Sequence, residues 1–87
     1  MKIKEGYVLK EVADSYLVVA VGNAVKDFKG IITLNETGAF LWKALEKGAE
    51  EESLVANLLD AYEVEESQAK KDVSTFIEKL KGANLIK

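Results

Sequence analysis

Apolar and polar residues follow two different rhythms in the two halves of this chain. In the first half they come in short runs. "YVLKEV" (Tyr7–Val12) alternates imperfectly, "YLVVAV" (residues 16–21) is apolar throughout, and "IITL" (residues 31–34) is a four-residue apolar run broken only by Thr33. The turn residues of "ADS" separate the first two runs, Gly22-Asn23 marks a break, and "DFKG" (residues 27–30) marks a second turn. Short runs punctuated in this way read as three strands, although periodicity alone also allows a buried helix for the fully apolar one. Short connections favour an antiparallel meander with residues 16–21 in the centre. Such a sheet has two exposed edges and needs a helical layer over its apolar face.

The second half supplies that layer at helical spacing. A first helix is expected over Glu36–Glu46, with Asn35 as N-cap, Leu41, Trp42 and Leu45 on one face, Gly38 one turn earlier and Gly48 as the stop. A second, over residues 51–62, lines up Leu54, Val55, Leu58, Leu59 and Tyr62 behind leading glutamates that suit the positive end of a helix dipole. A third, over residues 66–81, carries Ala69, Val73, Phe76, Ile77 and Leu80, with Lys79 and Lys81 in its last turn and Gly82 as the stop. The closing "NLI" is expected to pack back on the core. The fold class is α+β: a three-stranded antiparallel sheet followed by three helices, winged-helix-like, within one domain over residues 1–87.

Composition narrows the chemistry. The apolar fraction of 48% fits a folded protein, and 87 residues leave only a thin core. The chain has no cysteine and no histidine, so thiol nucleophiles, thiolate metal ligands and imidazole proton shuttles are excluded. No phosphate-cradling glycine loop is present, and the glycines at 6, 22, 30, 38, 48 and 82 are scattered as turn and cap residues. The consecutive acids at 50–52 and 65–66 lie at helix starts, where the dipole explains them better than paired-carboxylate catalysis does. We therefore expect no catalytic residues, no metal and no cofactor. Residues 50–81 carry a net charge of −5 within a total of −3, which argues against a broad nucleic-acid footprint. No apolar run approaches the roughly 20 residues needed to cross a bilayer. The expectation is a cytoplasmic protein with no nucleic-acid or membrane partner.

A binding module is what these exclusions leave. If residues 31–34 form an edge strand, its outward N–H and C=O groups can pair with an extended peptide, while pockets beside a neighbouring helix select side chains. Three alternatives stand at this point: an edge covered by the chain's own helix or tail, an edge that pairs with a second copy as a homodimer, and a winged-helix DNA reader. The last would use Lys70 and Lys71, set among acids in a chain without arginine.

The segment "LNETG" (residues 34–38), the pair Leu41-Trp42, the run Tyr62, Val64, Ala69, Asp72 and Val73, and the ending Leu80, Leu85 and Ile86 occur in an order and spacing that resemble the PqqD family. That family is named for the small protein of pyrroloquinoline quinone biosynthesis, and its members are also called precursor-peptide recognition elements. The resemblance spans essentially the whole chain and is strongest over residues 32–86. It implies a non-enzymatic protein that takes the leader of a ribosomally made precursor peptide as an added strand along the third strand, beside the third helix. It also implies a modifying enzyme as partner, often a radical S-adenosylmethionine protein. Carried over, the strand contacts are Ile31, Ile32, Thr33 and Leu34, and the groove wall comes from Lys70, Lys71, Val73, Ser74 and Ile77. A lysine there would suit an acidic leader residue. The family's acid before the third helix is present as Glu65, a poorer cap than aspartate.

Overall fold

A two-residue loop sets the register of the whole sheet. In the computed structural model, which describes residues 1–26 and 30–87, strands β1 (Tyr7–Val12), β2 (Ser15–Ala20) and β3 (Ile32–Leu34) form one antiparallel sheet in the order β1-β2-β3. The turn expected at residues 27–30 falls largely on 27–29, outside the described residues. Ala13 and Asp14 join β1 to β2, with Val12 opposite Ser15, so the turn takes one residue fewer than "ADS" suggested and β2 starts and ends one position early. Ala13 has φ +54°, the positive first dihedral of a type II′ hairpin turn. A two-residue loop closes on a hydrogen-bonded pair, so Val12–Ser15, Lys10–Leu17 and Val8–Val19 exchange backbone bonds. The Val21 N–H donating to the Gly6 carbonyl at 2.7 Å continues the same alternation. Tyr16 and Val18 then turn their backbone groups toward β3, where they meet Leu34 and Ile32.

Side chains alternate across this sheet as they should. Tyr7, Leu9, Tyr16, Val18, Ile32 and Leu34 pack on the core. Between β2 and β3, where the sequence showed only a break at Gly22-Asn23, a 3-10 segment spans Gly22–Lys26.

The helices are α1 (Glu36–Glu46), α2 (Glu51–Ala61) and α3 (Glu66–Gly82). Asn35 caps α1, its Oδ1 accepting the Gly38 N–H at 2.7 Å. Glu50 and Glu65 stand at the N-caps of α2 and α3 without a side-chain capping bond, so there the first-turn acids favour the helix start through the dipole. All five residues of the expected α3 stripe are buried, whereas on α2 only Leu54 and Leu58 are. Gly82 does not stop α3; it is the last helical residue, Ala83 is the C-cap, and Asn84 at φ +61° takes the left-handed position usually given to glycine. The tail then packs back as expected, with Leu85 fully buried. It also pairs with the N-terminus: Ile3 bridges Ile86, the Lys4 N–H donates to the Leu85 carbonyl at 2.8 Å, and the Lys87 N–H donates to Lys2 at 2.9 Å. No described helix is long and apolar enough to cross a membrane.

Candidate binding groove

The register of β2 decides which backbone groups of β3 are open. Ile32 and Leu34 face β2, so the N–H and C=O groups of Thr33, and those of Ile31 one step earlier, point away from the sheet along its free edge. Lys79 on α3 marks that direction, because its Nζ reaches the Thr33 carbonyl at 3.3 Å. Strand and helix do not close on each other. Between them runs a groove of about 570 Å³, bordered by Thr33, Leu34, Asn35, Thr37, Gly38 and Leu41 on one side and by Lys71, Asp72, Thr75, Phe76 and Lys79 on the other. Its floor is apolar, from the nearly buried Leu34, Leu41 and Phe76, and its rim is polar.

The α3 wall follows from helix geometry. Ala69, Val73, Ile77 and Leu80 turn into the core, which leaves Lys71, Thr75 and Lys79, at four-residue spacing, on the flank beside β3. Of the residues expected at the site, Thr33 and Leu34 border the groove from the strand and Lys71 from the helix. Ile31 is 61% exposed immediately before β3, and Ile32 is half-buried on the core face. Val73 and Ile77 are core residues, 0% and 3% exposed, and Ser74 is half-buried away from the groove. Lys70 lies on the opposite flank of α3, paired with Glu66 at 3.3 Å in a depression shared with Val55 and Leu59 of α2. Asp72, Thr75, Phe76 and Lys79 were not anticipated as groove residues. The 71–75–79 repeat next to Phe76 was the signal that could have found them.

Among the described residues the groove carries two cations and one acid, in a chain of net charge −3. Lys71 has no ion-pair partner among the described residues, while Asp72 is occupied through Oδ1 by the Gln68 amide at 2.7 Å. Tyr16, beside Leu34 on the core face, has its phenol held above the ordinary value, chiefly by the Glu11 carboxylate across the strand pair, then by burial and by Glu36 and Tyr62. It is therefore a neutral phenol at physiological pH. Among the described residues no group of three or more acidic side chains could hold a metal ion.

Gly38 belongs to this site. A Cβ there would lie 3.1 Å from the Asn35 cap oxygen and 3.2 Å from the Leu34 Cβ, both tight contacts. Gly38→Ala should gain about 1 kcal/mol in helix propensity and lose a similar amount, about 1 kcal/mol, from the disturbed cap. The expected result is a thermal midpoint close to that of the unmodified chain, together with weaker ligand binding, because the methyl crowds Leu34 and enters the groove floor. Parallel melting and titration curves check this.

Three antiparallel strands, three helices and a groove along the last strand's open edge define an α+β binding module. The model for PqqD, described as coenzyme PQQ synthesis protein D, matches residues 8–86, and the chain belongs to the PqqD family. Its fold is similar to that of TbiB1, solved in complex with the TbiA(beta) leader peptide, with a TM-score of 0.78 and 22% identity over 100% of this chain and 95% of that one. It is also similar to a lasso peptide synthetase B1 complexed with the leader peptide, with a TM-score of 0.74 and 19% identity over 97% of this chain and 93% of that one. A search of curated protein sequences finds no match.

Proposed function

We propose that this protein binds the leader segment of a ribosomally synthesised precursor peptide as a fourth strand on β3. It then presents the precursor to a modifying enzyme of the radical S-adenosylmethionine type. Membership of the PqqD family supports this reading, as do the two solved relatives that hold leader peptides. The observation that carries it is the outward set of backbone groups on Thr33 and Ile31 beside an apolar-floored groove.

In this mechanism the incoming strand pairs its N–H and C=O groups with those of Thr33 and Ile31. Alternate side chains point into the groove, where an apolar one covers Leu34, Leu41 and Phe76. Each backbone bond contributes about 0.5–1.5 kcal/mol net, and one buried apolar anchor about 1.5–3 kcal/mol. A micromolar complex needs about 8 kcal/mol, so edge and groove must act together. The protein contributes no chemistry of its own: it fixes the leader in an extended conformation and leaves the rest of the precursor free for the enzyme.

The test is titration of the isotope-labelled protein with short peptides encoded beside it, together with the adjacent modifying enzyme. The expected result is micromolar or tighter binding, with amide perturbations concentrated on residues 30–34 and on the 71–79 face of α3. Modification by the enzyme should rise when the protein is present. No binding by any such peptide, or perturbations elsewhere, would overturn the proposal.

A further inference from the structure

Building on the strand-addition reading, we infer that the groove selects a leader with two acidic residues four positions apart, flanking an apolar one. Lys71 and Lys79 are separated by eight residues of continuous helix, so they stand about 12 Å apart along α3. In an extended peptide, side chains on one face recur at about 6.7 Å, and those four residues apart at about 13 Å. Two acids at that spacing can meet both lysines at once. The residue midway between them, on the same face, then lies opposite Thr75 and Phe76 over the apolar floor. A spacing of two residues spans only about 7 Å, and a spacing of three turns the second acid to the far face of the strand.

Both cations are available for this role. Lys71 is in no ion pair among the described residues. Among the described residues Lys79 holds only the Thr33 carbonyl, an exposed contact at 3.3 Å on the very edge the peptide must pair with. A peptide N–H that takes over that carbonyl displaces the Lys79 ammonium, which is then left facing the peptide's own side chains. In the free protein the same lysine covers an otherwise open strand edge and discourages pairing with a second copy. Asp72, the one acid among the described groove residues, accepts the Gln68 amide at Oδ1 and keeps its charge, so two lysines against one carboxylate leave that lining net positive.

The probes are synthetic Thr/Val-based peptides of roughly ten residues, long enough to span the groove, carrying Glu-x-Leu-x-Glu, Gln-x-Leu-x-Gln, or two glutamates three apart. They are titrated against the full chain and its Lys71→Gln/Lys79→Gln variant. The first peptide should bind about 5–10-fold more tightly than the other two at low salt, a gain that fades toward 1 M salt, as expected for exposed ion pairs. The variant should lose that preference, and Lys71→Glu/Lys79→Glu should transfer it to a Lys-x-Leu-x-Lys peptide. Equal affinity for all the peptides, with the amides of residues 30–34 still perturbed, would overturn the acidic code and leave strand addition standing. Peptides that move none of those amides would overturn both.

Discussion

Thr33→Pro should lower leader affinity by about 10–100-fold, or about 1.4–2.8 kcal/mol, while leaving the protein folded. Proline removes one backbone donor, and its ring blocks close approach of a neighbouring strand. In the centre of a sheet that would be ruinous, but the Thr33 N–H points away from β2 and has no partner among the described residues. Edge strands accept proline where the N–H faces solvent, and Ile32 already has the extended backbone a following proline requires. The control is Ile32→Pro. It breaks the ladder to β2 and removes a half-buried side chain packed against the core, so it should cost about 3 kcal/mol or more in stability. Urea unfolding and leader titration of the two variants separate the roles. Unchanged leader affinity in a folded Thr33→Pro protein would contradict pairing at β3.

Trp42→Ala should be the most destabilising single change, at about 3–5 kcal/mol. The whole domain holds about 4–13 kcal/mol by the usual per-residue range, so the variant should lose from about a quarter of that stability to all of it, with a steep fall in the thermal midpoint. Trp42 is 0% exposed and joins Leu41 and Leu45 in fixing α1 beneath the sheet. Its Nε1 is buried with no hydrogen-bond partner among the described residues. An orphaned donor of this kind costs about 1–3 kcal/mol, which sets up a contrast. Trp42→Phe loses area but sheds the orphan, so it should cost under about 2 kcal/mol. Equal destabilisation by Phe and Ala would show that the indole N–H has a partner.

The residues that make the fold were largely legible because burial and helical spacing coincide in them. The stripe of Ala69, Val73, Phe76, Ile77 and Leu80, the Asn35 cap and the apolar central strand each combine a local preference with a core position. Gly38 was legible as a residue out of place in a helix, and the close approach of Leu34 and Asn35 is its physical reason. The groove was harder to read. Val73 and Ile77 satisfy a helical pattern whether they line a groove or fill a core, and only the packing puts them in the core. Lys79, near the end of α3, reads as a dipole partner until the fold brings Thr33 beside it. The pairing of Ile3 with Ile86 joins residues from opposite ends of the chain, and no local pattern encodes it. The alternation of open groups on β3 depends on a turn of two residues, where composition also allowed three.

That alternation is the most direct test of strand addition. Amide hydrogen exchange should be followed residue by residue along 31–34, with and without leader. Without leader, Ile32 and Leu34 should be protected by β2 while Ile31 and Thr33 exchange freely. With leader bound, Ile31 and Thr33 should become protected, giving continuous protection along the strand. Saturating leader that leaves those two amides unprotected, or that protects the β1 edge instead, would contradict the account.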